Sequence, residues 1–323
     1  HSVMDNLTHS LVGALLGQAG LKRKTGLAMP TLIIAANIPD IDAVAVLLGG
    51  DQHLALRRGI THGPIAMVLL PLLLWGIMLW FDRWQTKRGT RPEKRLPVDA
   101  KRLLMLAYIG CLSHPMFDWF NSYGIRLLEP FSSQWFYGDT IFIIDIGLWC
   151  ALIAGVWLSL RGERRGQPNW RVPAITSMAA IILYNVANGL ITGRAEQLTG
   201  KAVQSQLGIV PAMVVANPVP VQFWKREMLW RDSNHYGQGS FSAPDQVVLD
   251  PKIGQHDMSN TSALAELSKD KNAKAFLFWS RMPVLREEQR EGSKVRILSD
   301  QRFGNPLVQD RFRVVVPTEP APE

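Results

Sequence analysis

Three stretches of this chain, Pro64–Phe81, Ile141–Leu160 and Val172–Thr192, are almost wholly apolar. A helix needs about 20 mostly apolar residues to cross the hydrocarbon core of a bilayer. Such runs constrain the fold because a lipid-exposed backbone must satisfy its own hydrogen bonds, which a helix does within one segment. Three further runs, Leu7–Leu21, Ala28–Leu48 and Leu103–Tyr123, are apolar but interrupted by polar groups. From about Gly193 the character changes to an ordinary polar sequence. The expected fold is an α-helical polytopic membrane domain of about six helices over residues 4–192, followed by a small α+β soluble domain over residues 193–323.

Lysine and arginine set the orientation. Lys22-Arg23-Lys24 separates the first two runs, eight basic residues from Arg83 to Arg102 follow the third, and Arg161, Arg164, Arg165 and Arg171 follow the fifth. In a six-helix alternation these loops share one side, which is expected to be cytoplasmic. The C-terminal region is then expected to lie outside the cytoplasm. A net charge of +8 would otherwise suggest nucleic acid. Here much of it is topology charge, and no nucleic-acid partner is expected. The two cysteines, Cys111 and Cys150, lie in apolar runs and read as small buried hydrophobes.

In the C-terminal region, Val219–Arg231, Ala275–Met282, Lys294–Ser299 and Phe312–Val316 read as strands and Ser262–Lys269 as a short helix. Pro317–Glu323 reads as a frayed tail.

The chemistry lies in the polar residues of the apolar runs. An ionisable group in a membrane costs at least about 2.5–3.5 kcal/mol unless it is paired or solvated. Asp40, Asp42, His114, Asp118 and Asp145 all sit in such runs, and His9 and His62 lie at run starts. Under the alternation above, all seven fall between the outer surface and mid-bilayer. His114 and Asp118, four apart, share a helix face. Asp40 and Asp42 follow Pro39, which weakens a helix and turns both carboxylates inward. Three histidines and three aspartates, His9, Asp40, Asp42, His62, His114 and Asp118, form a ligand set for one or two Zn²⁺ ions, with Mn²⁺ or Fe²⁺ also compatible. Arg57 and Arg58 precede His62, where a guanidinium could grip a phosphate or carboxylate. His53, His235 and His256 sit in polar surroundings and receive no role. Trp84 and Trp119, near run ends, read as interface anchors.

Four strings occur in order: Met4-Asp5-Asn6-Leu7-Thr8-His9, Pro39-Asp40-Ile41-Asp42, Arg58-Gly59-Ile60-Thr61-His62 and Ser113-His114-Pro115-Met116-Phe117-Asp118. Together they resemble a bacterial family of inner-membrane metal-dependent hydrolases, some of whose members are under LexA control. Gly138-Asp139-Thr140 followed by Asp145 is similar to a further motif of its longer members. The resemblance covers about residues 4–192, and through the family it extends distantly to zinc-dependent phospholipase C, which implies phosphoester chemistry.

The expected function is therefore a metal-dependent hydrolase at the outer leaflet, acting on a phospholipid or another lipid-linked phosphoester. Asp145 would take a proton from water or orient a ligand, and Arg58 would hold the phosphate. Two rivals use the same residues: a metal-ion or proton pathway, and a sensor with a structural metal.

Overall fold

The computed structural model describes residues 2–48, 52–142, 145–256, 258, 264–265, 267–290, 293–304 and 312–317. The chain divides into two compact units, one of residues 1–43 and 58–189, the other of residues 44–57 and 190–323.

The first unit is helical. Helix α1 spans Ser2–Gln18, and α2 covers only Ala28–Ala35. The single run expected over Ala28–Leu48 is broken: after α2 the chain turns and continues as a 3₁₀ helix, Ile38–Leu48. Pro39 has no N–H to give to an α-helical ladder, so the break falls where the aspartates sit. A short helix α3, Gln52–Leu56, belongs to the second unit, and the first unit resumes at Arg58 with a 3₁₀ turn, Ile60–His62. Helix α4, Pro64–Lys87, opens with Pro64 in its first turn, where a missing N–H costs nothing. Asp99 caps α5, Ala100–Phe120, by accepting from Arg102 N. Asp145 caps α6, Ile146–Arg164, so this helix starts later than the apolar run that announced it. Helix α7, Val172–Leu207, runs well past the apolar stretch expected to end at Thr192.

Among the described residues, α4, α5, α6 and α7 are long and apolar enough to cross a membrane. Four such helices stand where about six were expected, because α1 is short and α2 is interrupted. Leu73, Trp80, Leu183 and Leu190 lie exposed on their surfaces. Apolar side chains this exposed along whole helices suit lipid rather than water. Inward faces make the core. Val12, Leu15, Phe117, Leu148, Leu152 and Ile181 join α1, α5, α6 and α7, while Ala35, Met67, Leu74, Leu103 and Cys111 join α2, α4 and α5.

Two glycines set the spacing around α2. A Cβ on Gly13 would meet Leu32 O at 2.7 Å, and one on Gly110 would meet Ala35 Cβ at 2.7 Å. Glycine alone lets α1 and α5 approach α2 this closely. His9 and His114 each lie four residues from one of these glycines, one helical turn away.

The second unit holds two antiparallel sheets. The first is ordered β1 (Met213–Pro218), β2 (Lys225–Arg231), β3 (His235–Ser242), β4 (Gln246–Leu249), with β5 (Gly254–Gln255) also paired to β3. The second is β6 (Pro283–Arg290), β7 (Ser293–Asp300), β8 (Arg313–Pro317). Helix α8, Lys271–Trp279, replaces the strand expected over Ala275–Met282. Asp270 caps it through Ala273 N, and Ala273, Phe276 and Trp279 are buried at helical spacing. Trp279 stacks on Phe303 and Phe312 in the core. The strand expected from Val219 begins only at Lys225, whereas those near Lys294 and Phe312 appear as β7 and β8. Parts of the short helix expected over Ser262–Lys269, and all of the tail beyond Pro317, lie outside the described residues.

Candidate metal centre

The polar residues of the helical unit converge at the helix ends opposite the basic loops. α5 brings His114 and Asp118 in its last two turns, the 3₁₀ turn before α4 brings His62, and the 3₁₀ segment after α2 brings Asp40. One ligand atom from each of Asp40, His62, His114 and Asp118 lies within 4.8 Å of the others, and all four residues are buried.

The hydrogen bonds decide which atoms face the centre. His114 Nδ1 lies 2.7 Å from Ala36 O, a carbonyl that only accepts, so Nδ1 carries the proton and Nε2 presents its lone pair. Thr61 Oγ1 lies 3.0 Å from Asp42 Oδ2 and gives its one proton to that carboxylate. It can then only accept from His62 Nδ1, 2.9 Å away. The relay Asp42–Thr61–His62 therefore turns the His62 Nε2 lone pair inward as well. The two Nε2 atoms lie 3.1 Å apart. Asp118 Oδ2 is 3.4 Å from each, and Asp40 Oδ1 is 3.8 Å from His114 Nε2. Asp118 Oδ2 has no hydrogen-bond donor.

With both imidazoles neutral, their Nε2 atoms and the carboxylates would meet as acceptors with no proton between them. Buried acceptors facing one another repel unless a cation lies among them. Tetrahedral Zn²⁺ with bonds of about 2.0–2.2 Å requires ligand–ligand separations of about 3.3–3.6 Å. Four of the six separations, 3.1–3.8 Å, lie around that range, and all fall within 4.8 Å. The residues present fit a divalent metal, and this buried Asp/His cluster could hold one.

The remaining expected residues surround this group. His9 stacks on His114 with ring centroids 3.7 Å apart, and its Nε2 lies 3.4 Å from Asp118 Oδ1. Its buried Nδ1 has no hydrogen-bond partner. Asp42 stands one layer out, its Oδ2 accepting from Arg58 N at 2.7 Å as well as from Thr61. Arg58 is buried, with Nη2 on Asp118 Oδ1 at 2.9 Å, Nη1 on Asn121 Oδ1 at 3.0 Å, and its guanidinium over the Tyr123 ring. Its φ of +52° is unusual for a side chain of this size and is held by these ties. Asp145 is not in the four-residue group. One of its oxygens caps α6 through Leu148 N and the other accepts from Tyr184 OH at 3.0 Å. With Thr8, His9, Asp118 and Asn121 it lines a cavity of about 20 Å³, room for a single water.

A model of the YdjM inner membrane protein family matches residues 4–195. The chain belongs to that family. Every residue of the cluster falls inside the match. The chain is also similar to the uncharacterized protein YfhP of Bacillus subtilis (strain 168), with 22% identity over 296 residues, 88% of this chain and 82% of that one. No solved structure matches.

In this YdjM-family chain, sequence reasoning missed Thr61, Tyr184 and Asn121. Thr61 precedes a histidine, Tyr184 lies in an apolar run and Asn121 ends a helix. None of the three differs by residue type from an ordinary polar residue. The Ala36 carbonyl, freed where α2 ends, leaves no mark in the sequence at all.

Proposed function

We propose that this chain is a membrane-embedded metal-dependent hydrolase of a lipid or lipid-linked phosphoester, working at the outer leaflet of the inner membrane. What supports this most is the convergence of two oriented imidazole lone pairs and two carboxylates beside a water-sized cavity. Asp40, His62, His114 and Asp118 would hold the metal. When bound, a divalent ion polarises a phosphoryl oxygen and makes water a better nucleophile at neutral pH. Asp42 acts through Thr61 to fix the His62 tautomer, and Arg58 holds Asp118 in place. Because the guanidinium is committed to Asp118 and Asn121, we assign Arg58 a positioning role in place of the phosphate grip expected from sequence. Asp145 and His9 share the cavity wall and are the bases available to a water held there.

A lipid-like substrate agrees with the rim. Ile41, between the two aspartates, is 59% exposed, and Ile60, two residues before His62, is 68% exposed. Acyl chains would cover such side chains while the phosphoester met the cluster. A transport pathway would need polar access from the other side as well. There, among the described residues, Ala28, Leu32 and Leu106 close one apolar cluster and Leu74, Met78 and Leu103 another.

The test is elemental analysis of detergent-purified protein followed by hydrolysis assays on phospholipids and lipid-linked phosphoesters. Bound Zn²⁺ or Mn²⁺ with release of a phosphorylated product is the expected result. Protein that takes up neither metal would overturn the reading. Metal-loaded protein that moves ions into liposomes but cleaves nothing would replace it with transport.

A further inference from the structure

Strand β1 runs back along the last turns of α7, and the pairing fixes how far it descends. A Cβ on Gly200 would lie 3.8 Å from the Val214 side chain, and Ala216 shares a buried core with Ala195 and Ile191. A strand advances about 3.3 Å per residue and a helix about 1.5 Å, so two strand residues match between about four and five helix residues. By that measure Pro218, the end of β1, stands level with Ile191. An independent contact agrees: Arg226, the partner of Pro218 across the hairpin, places Nε 3.1 Å from Thr192 Oγ1. The connecting residues 219–224 therefore lie at the depth of Thr192 or beyond it, beside the end of the apolar run of α7.

That connection is apolar and outward-facing. Val221 is 66% exposed, and Phe223 and Trp224, packed edge to face, are each more than two-fifths exposed. The loop is held in shape by Ala243 N donating to Trp224 O and Lys225 N to Gln222 O. At the same end, Arg194 is neutralised by Asp245 through paired bonds of 2.8 and 2.9 Å. Lys225, exposed at the loop's base, is placed to reach headgroup phosphates while its stem lies on apolar surface. On α7 itself, Leu190 is exposed just before Thr192.

We propose that the loop of residues 219–224 inserts into the headgroup–acyl boundary of the bilayer on the side where α7 emerges, as an apolar wedge with the membrane lipid itself as its partner. Aromatic side chains favour that boundary, and continuity with the apolar face of α7 places the loop there. The inference is independent of the metal site and of which side of the membrane the second unit occupies.

The test is depth-dependent quenching in the full chain. Val221→Cys and, separately, Phe223→Cys in a Cys150→Ala background would carry an environment-sensitive fluorophore. The protein would be reconstituted into phosphatidylcholine–phosphatidylglycerol vesicles containing lipid with a shallow nitroxide. Native Cys150, exposed on α6, is the bilayer control. Lys252→Cys is the aqueous control, in the connection to β5, whose pairing is with the far end of β3. Labels at 221 and 223 quenched like that at 150, and unlike that at 252, are expected. Lipid quenching no stronger than at 252 would overturn the proposal. So would shielding from aqueous iodide without lipid quenching, which would mean that protein, such as a second copy, covers the loop.

Discussion

At the scale of single residues, the centre depends on proton bookkeeping as much as on ligand identity. His114→Ala removes a ligand and leaves two buried carboxylates facing each other, so metal content and thermal stability should both fall. Thr61→Val keeps the shape but breaks the relay that turns the His62 lone pair inward. Loss of such an outer partner typically weakens metal binding about 10–100-fold. Thr61→Ser should restore most of it, and metal titration of the three variants checks the order. Full occupancy in Thr61→Val would remove the relay from the account. Asp145→Asn is a different kind of change. Asparagine caps a helix as well as aspartate does, so α6 should keep its start and the protein its metal. If Asp145 takes the proton from water, turnover of the lipid phosphoester should drop by about 10²–10⁴. Unchanged turnover would leave it a cap. The four residues of the buried Asp/His cluster were legible in the sequence, because an ionisable group in or beside an apolar run is costly and therefore conspicuous. Their partners were not, since Thr61 and the Ala36 carbonyl acquire roles only once the chain is folded.

At the scale of elements, the long helices α4, α5, α6 and α7 were legible from length and apolarity, whereas the break after α2 and the starts set by the caps Asp99 and Asp145 were not. In the second unit the reading was poorer. The run from Ala275 to Met282 is apolar enough for a buried strand, and short apolar runs look alike in helix and strand. The cap at Asp270 decides it. That unit also hides an ion pair that composition cannot reveal. Asp300 accepts from Arg302 through both oxygens, at 2.9 Å each, and from Ser280 Oγ and Arg281 N. Burial alone would raise the Asp300 carboxyl, but the Arg302 guanidinium and these donors hold it below its ordinary value. A carboxylate lowered in the folded state contributes stability that is present above its unfolded pKa, about 3.9. That stability is lost as pH falls through the folded value. The second unit should therefore hold through mild acid and loosen only below about pH 4. Asp300→Asn leaves Arg302 buried without its charge partner and should cost about 3–5 kcal/mol at neutral pH. Hydrogen exchange of the β7 amides in the intact protein reads both effects. Protection in Asp300→Asn equal to wild type at neutral pH would refute the assignment.

At the scale of the whole molecule, the basic loops predict the orientation. Single cysteines at Leu96 and Gly166 should be shielded from an impermeant thiol reagent in spheroplasts, and one at Gln246 should react. The cysteine at Gln246 tests the placement of the second unit outside the cytoplasm. Labelling at 96 with none at 246 would reverse the orientation and move the proposed hydrolase to the other leaflet.

The positions of the ligands along the chain also set an order in time. By the time Asp118 has left the ribosome, every residue of the Asp/His cluster has been made, while α6, α7 and both sheets are still to come. A growing chain would therefore bring these acceptors together early, and a captured cation would tie the segment after α2, the turn before α4 and α5 together before the rest arrives. Metal supply would then act during biogenesis as well as in the finished protein. A chain stopped at Gly189 should still load metal in the membrane, whereas cells starved of the metal during synthesis should accumulate protein that protease clears from α1 onward.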